Sequence, residues 1–335
     1  MNKSLRVELL HRHPSNPILT AEHWPYRIHS VFNPGATRLA DGTTLLLCRV
    51  EDFRGHSHLC AARSANGIDD WKIDPSPTFV TDPLNHPEEL WGVEDPRITF
   101  VEELGDYMIA YTAFGRSGPA VAMARTKDFV TFERLGIVMQ SDDKDAALFP
   151  TRFGGEFVLI HRPANDHTAD MWISFSPDLM NWGGHAVLLP ARLGAWWDAN
   201  KIGLSPPPIK TSRGWLVMYH GVRQHASGSI YRIGLALFDL NNPAICLRRG
   251  QSWIFGPEKE YETGGDVPYA IFPCGVTLMD DGDTLRIYYG AADSSICLAT
   301  ASLIELLDWL DYDGSQMTGV SGFPEERVIL GGNRW

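Results

Sequence analysis

Apolar residues recur along this chain in short runs broken by turn residues, without the long three-to-four spacing of helical stripes. The segment NPGATRLADGTTLLLCRVED sets the pattern. It has a proline near its start, a short apolar strand, a turn rich in Gly and Asp, and a second apolar strand ending in charged residues. The same order returns in EDPRITFVEELGDYMIAYTAF, FPTRFGGEFVLIHRP, SPPPIKTSRGWLVMYHGVR and FPCGVTLMDDGDTLRIYYGAAD. A third strand of small residues follows most units, as in LCAARSANGIDDW, VAMARTKDFVTF and MWISFSPDLMNW, with an Asp shortly before an aromatic. Units spaced by roughly 50 to 70 residues fit the blades of a propeller, each made of four short strands. Only IELLDWL near the C-terminus carries helical spacing. The pattern therefore predicts an all-β fold, a five-bladed β-propeller forming a single domain over residues 1–335. About 30 N-terminal and about 25 C-terminal residues would serve as closing or packing extensions.

Composition narrows the partners. The chain has 335 residues, 44% of them hydrophobic, enough for a large core, and a formal net charge of -12. That balance argues against nucleic acid or an anionic membrane as partner. No stretch approaches the length of a membrane span, and the N-terminus lacks an apolar leader. The five cysteines are odd in number and lack CxxC spacing, which points to reduced, buried thiols in a cytoplasmic protein. Oligomeric state is not legible, and a homo-oligomer stays open.

In a propeller the first strand of each blade lines a central channel, so polar residues at matching points of successive units converge. The matching points supply Asn33, Arg49 and Asp52; Asp95 and Arg97; Lys144, Asp145, His161 and Arg162; Lys201 and His220; Asp266 and Asp293. Lys144, Arg162, Lys201 and His220 form a cationic side suited to phosphate, which takes charge-assisted hydrogen bonds on three oxygens. The acids and amides suit a polyhydroxylated molecule, with Trp91, Trp196, Trp197 and Tyr219 as candidate stacking surfaces. Each residue also has a structural reading: Arg49 and Arg162 as strand-end ion pairs, His220 as a core histidine, Lys144 as a solvated turn charge, Asp95 as a turn cap. His56 and His58 form an HxH without a third ligand fixed by spacing, so no metal is expected.

FNPGA, the strand ending RVED, GVEDPR, KDAALFP…HRP, KIGLSPPPI…GWLVMYHGV and YYGAAD resemble glycoside hydrolase family 130, the β-mannoside phosphorylases, in order along nearly the whole chain. The resemblance implies a five-bladed propeller and reversible, inverting phosphorolysis of a β-mannoside. The products are α-mannose 1-phosphate and a shortened sugar. It implies Asp95 as the general acid, its proton passing through the mannosyl 3-hydroxyl. It further implies Lys144, Arg162, Lys201 and His220 as phosphate ligands, and Asn33, Arg49 and Asp293 as contacts to the sugar. Carbohydrate and phosphate are then the partners, with phosphate a co-substrate and no cofactor. Many members carry Arg where this chain has Lys144, which keeps the charge and loses the two-pronged fork. A hydrolase on the same scaffold and a non-catalytic sugar-binding propeller are the competing readings. Arg97, which by lowering the carboxyl pKa would work against Asp95 as an acid, is expected to be satisfied by a neighbouring blade.

Overall fold

The computed structural model describes residues 9–164, 169–226 and 228–316. The short strand β1 (His11–Arg12) precedes a first antiparallel meander of β2 (Ser30–Arg38), β3 (Thr44–Glu51), β4 (Ser57–Ser64) and β5 (Lys72–Ile73). A second follows with β6 (Gly92–Val101), β7 (Asp106–Gly115), β8 (Gly118–Thr126) and β9 (Glu133–Met139). The third is β10 (Asp143–Leu148), β11 (Phe157–Pro163), β12 (Met171–Ser176) and β13 (Gly183–Leu189). The fourth begins with β14 (Lys201–Leu204) and β15 (Ile209–Lys210), which both pair with β16 (Trp215–His225); β17 (Gly228–Phe238) and β18 (Cys246–Gly250) complete it. Pro206, Pro207 and Pro208 separate β14 from β15 because proline has no N–H to give to the ladder. After the short helix α1 (Glu260–Thr263) come β19 (Ile271–Leu278), β20 (Thr284–Ala291) and β21 (Ser295–Ser302), then helix α2 (Leu303–Asp313) and β22 (Gly314–Gln316).

The chain is thus all-β, arranged in several sheets, and the helix expected at IELLDWL is α2. Ser302 caps α2 by accepting from the Glu305 N–H, and Leu303, Leu306, Leu307 and Leu310 form its buried face. Near the chain start, β1 supplies the fourth strand beside β21. At the other end, β22 extends the fourth meander by pairing with β18. The expected terminal extensions are described only in part, because residues before 9 and after 316 lie outside the described residues.

Alternation of side chains along each strand gives both faces of every meander an apolar surface, and the core is built where consecutive meanders pack. The first meets the second through Leu45, Leu47, Ile109 and Tyr111, and the second meets the third through Met108, Val121, Leu148 and Leu159. Phe149, Ile160, Trp215 and Val217 join third to fourth, and Met218, Leu235, Ile271 and Ile287 join fourth to fifth. Leu46, Cys48, Tyr288 and Leu298 pack the fifth back on the first. All five cysteines are buried and unbridged.

The repeated Asp-before-aromatic signal marks a repeated turn. After β4, β8 and β12 a hydroxyl (Ser64, Thr126, Ser176) accepts from the N–H three residues on (Gly67, Phe129, Leu179). Asp128 and Asp178 then accept from the next turn's N–H groups. A second repeat concerns the first strands. The ladder slips at equivalent points, between Phe32 and Gly35, Glu94 and Arg97, Lys144 and Ala147, and Pro273 and Gly275. At three of these bulges an Asn or Asp takes positive φ: Asn33 at 44°, Asp95 at 49° and Asp145 at 56°. A bulge re-aims the side chain it carries, and Asn and Asp tolerate the left-handed region better than bulkier residues.

Candidate active site

The bulged starts of the first strands and the ends of the second strands meet at one end of the molecule, because each pair is antiparallel. Phe32 faces Arg49, Lys144 faces Arg162, and Gly203 faces His220. The cavity there has a volume of about 120 Å³. It is lined by all eight residues to which the family resemblance assigns a role: Asn33, Arg49, Asp95, Lys144, Arg162, Lys201, His220 and Asp293. Asp145, Tyr231 and Phe272 line it as well.

Asp95 is buried, and its Oδ1 accepts from Asn33 Nδ2 at 2.9 Å and from Arg49 Nη1 at 3.0 Å. Burial alone would raise this carboxyl. The cations of Arg49, Lys144 and Arg97, with the Asn33 hydrogen bond, outweigh burial and hold it below the usual carboxylate range. Its neighbour Glu94 moves the other way: burial dominates, and the nearby Asp95 charge adds to the rise despite an ion pair to Arg49 at 3.0 Å. Asp293, at φ 51° just past β20, is pushed up to about 7 by burial, with the charges of Asp95, Glu51 and Glu94 overriding Arg49.

Arg97 is fully buried and donates to Ser205 O at 3.0 Å, Leu204 O at 2.8 Å and the Asp95 backbone O at 3.1 Å. Its main acceptors come from the fourth meander rather than from an adjacent one as expected, with only Asp145 Oδ1 of the adjoining third meander near, at 3.4 Å, so Arg97 cross-links the second meander to the fourth.

The opposite wall is cationic. Arg162 donates through Nε to Asp145 Oδ2 at 2.7 Å. Lys201 sits with its Nζ 5.1 Å from the Tyr231 ring centre, and burial, with Arg162 beside it, lowers its pKa. His220 is buried, and desolvation brings it down to about 4 against the pull of Asp145, so its imidazole is neutral. Among the described residues neither Lys144 nor Lys201 has a carboxylate within 4 Å. Holding a poorly hydrated cation without a counter-charge costs several kcal/mol. An anion entering the cavity would repay that cost.

Other expectations are corrected. Trp197 and Tyr219 stack on each other in the core, 5.5 Å apart, with Trp197 Nε1 bonded to Gln251 O, and they do not line the cavity. Trp91 packs edge-on against Phe114, and Trp196 lies under the Arg192 guanidinium. The aromatic lining is Tyr231 and Phe272 instead. Asp266 pairs with His29 at an exposed position, and Asp52 holds the Arg54 turn. His161 is buried between Asp143 and Ser174. His58 bonds Tyr26 Oη at 2.8 Å.

A strand-built pocket with a hydrogen-bonded carboxylate on one side and, on the other, an arginine together with two lysines that have no carboxylate within 4 Å among the described residues fits a class: enzymes that move a glycosyl group onto an anion. The family model described as glycoside hydrolase family 130, β-1,4-mannooligosaccharide phosphorylase, matches residues 9–312. The chain belongs to that family and is an enzyme, a glycosyl-transferring phosphorylase. It is 34% identical to the 1,2-β-oligomannan phosphorylase of Thermoanaerobacter sp., over 83% of this chain and 91% of that one. It is 32% identical to the β-1,4-mannooligosaccharide phosphorylase of Ruminococcus albus, over 92% of both. The solved structure of the Listeria innocua β-1,2-mannobiose phosphorylase with β-1,2-mannobiose superposes with a TM-score of 0.81 at 28% identity, covering 90% of this chain and 99% of that one.

Proposed function

We propose that this chain is a single-domain, five-bladed β-propeller that cleaves a β-mannoside by inverting phosphorolysis, giving α-mannose 1-phosphate and the shortened sugar. Five meanders packed in sequence, the fifth returning onto the first, support the propeller reading. The observation that carries the chemistry is one cavity lined both by the carboxylate of Asp95 and by the cations of Lys144, Arg162 and Lys201, with the neutral imidazole of His220 beside them.

An inverting reaction needs a proton donor at the leaving oxygen and a nucleophile on the far face of the anomeric carbon. Water would need a second carboxylate as base. Phosphate is already an anion and needs only to be held in line, which is work for Lys and Arg. In the proposed step Asp95 protonates the glycosidic oxygen through the mannosyl 3-hydroxyl as the carbon–oxygen bond breaks. A phosphate oxygen forms the new bond to the anomeric carbon with inverted configuration. Asn33, Arg49 and Asp293 hold the sugar. The lowered pKa of Asp95 is compatible with this role, because a bound phosphate offsets the Lys144 charge that helps depress it.

The test is incubation with β-1,2-, β-1,3- and β-1,4-linked mannobiose, with and without inorganic phosphate. Sugar phosphate formed only in its presence is the expected result, and the panel assigns the linkage. Free mannose released without phosphate would make the protein a hydrolase, and no turnover a sugar-binding propeller. Asp95→Asn should cut turnover by about 10²–10⁴-fold while sugar binding stays measurable.

A further inference from the structure

Asp145 occupies the same backbone station as Asn33 and Asp95: the bulge of a first strand, at positive φ, on the cavity wall. A carboxylate there is unexpected, since a second negative charge beside a phosphate site opposes the ligand. Its contacts explain its presence. Oδ2 accepts from Arg162 Nε at 2.7 Å and lies 3.4 Å from His220 Nε2, while Oδ1 lies 3.4 Å from Arg97 Nη2. One side chain therefore touches the second, third and fourth meanders. There is no slack around it: a Cβ added at Gly203 would meet Asp145 Oδ2 at 2.4 Å and the His220 ring at 2.5 Å.

The grip on Arg162 is selective. By engaging Nε, Asp145 fixes the plane of the guanidinium and leaves the two Nη groups, the fork that recognises phosphate, without partners among the described residues. We infer that Asp145 is a positioning residue for the co-substrate: it orients Arg162 so that its remaining Nη donors face the anion, and it fixes the ring of His220 beside them. This rests on the phosphorylase reading above and adds a residue to it. Asp145 is held ionised: burial opposes this, but Arg162, His220 and Arg97 together bring its carboxyl well below the usual range.

The sign of the effect separates orientation from charge. Asp145→Asn removes a negative charge from the cavity wall, and field alone would then tighten phosphate binding. Loss of orientation does the reverse. Titration calorimetry with inorganic phosphate is expected to find Asp145→Asn about tenfold or more weaker than wild type, with the KM for mannoside unchanged. In an Arg162→Lys background, which lacks the Nε contact, the same substitution should cost little further affinity. Phosphate bound as tightly or more tightly by Asp145→Asn, or an equal loss in both backgrounds, would overturn the inference and leave the phosphorylase reading standing. Wild-type protein that binds no phosphate would overturn both. Should Asp145→Asn not fold, a crystal structure of the wild type with phosphate decides: Arg162 Nε still on Asp145 with Nη on the anion supports the inference, and Arg162 swung away from Asp145 refutes it.

Discussion

Asp293 and Asp95 share a cavity, yet their surroundings push their acidities apart, and this has consequences for single residues. Asp293 is raised to about 7, so between roughly pH 4 and 7 the folded chain keeps a proton that the unfolded chain has lost. Stability attributable to this residue therefore declines as pH rises through that window. Asp293→Asn should be more stable than wild type at pH 8, by about 1–2 kcal/mol after solvent screening, and no more stable at pH 3.5. Thermal unfolding at the two values checks it. Asp95 runs oppositely: its lowered value stabilises the fold above the ordinary carboxylate range, and that contribution fades in acid. The same contrast bears on who gives the proton. If Asp95 is the donor, Asp293→Asn keeps a measurable turnover and mainly raises the sugar KM, whereas Asp95→Asn removes turnover.

At the scale of elements, the bulged first strands do the positioning, and their close approach is what fixes the pocket. A Cβ at Gly275 of β19 would meet Ala36 N at 2.6 Å and Pro34 O at 2.7 Å, backbone atoms of the strand that carries Asn33. Gly275→Ala should cost about 1–3 kcal/mol, read as a lower Tm, and raise the sugar KM through displacement of Asn33. Much of this level was legible in the sequence. Pro34, Pro96 and Pro273 punctuate the first strands, and the paired strands carry Arg49, Arg162 and His220 to the same side. What escaped is set by side-chain direction. Tyr219 adjoins His220 in β16, and neighbours in a strand face opposite ways, so a pocket-facing His220 sends Tyr219 into the core. Asp145 in KDAAL had no assigned role, because only the bulge turns it onto the cavity wall beside Lys144. Tyr231 lies in β17, and nothing in its run of residues marks it as reaching across to Lys201.

For the whole molecule, the two walls of the cavity belong to different meanders and communicate through charge. A bound phosphate dianion would offset Lys144 and its neighbours, which raises the pKa of Asp95. The alkaline limb of the pH–rate profile should therefore sit at higher pH under saturating phosphate than under limiting phosphate. Steady-state kinetics at two phosphate concentrations measure the displacement, and a limb that stays in place would break the coupling. In the proposed mechanism, protonation of Asp95 would follow occupancy of the phosphate site, which would protect the sugar bond until its acceptor has arrived.

The pairing of β1 with β21 brings His11 beside Thr300, from opposite ends of the described chain. During synthesis the earliest strand must wait, unpartnered, for one of the last to leave the ribosome. The cavity draws on residues from Asn33 to Asp293, so a nascent chain has no working half. Competence therefore requires the first and last meanders of the described chain together.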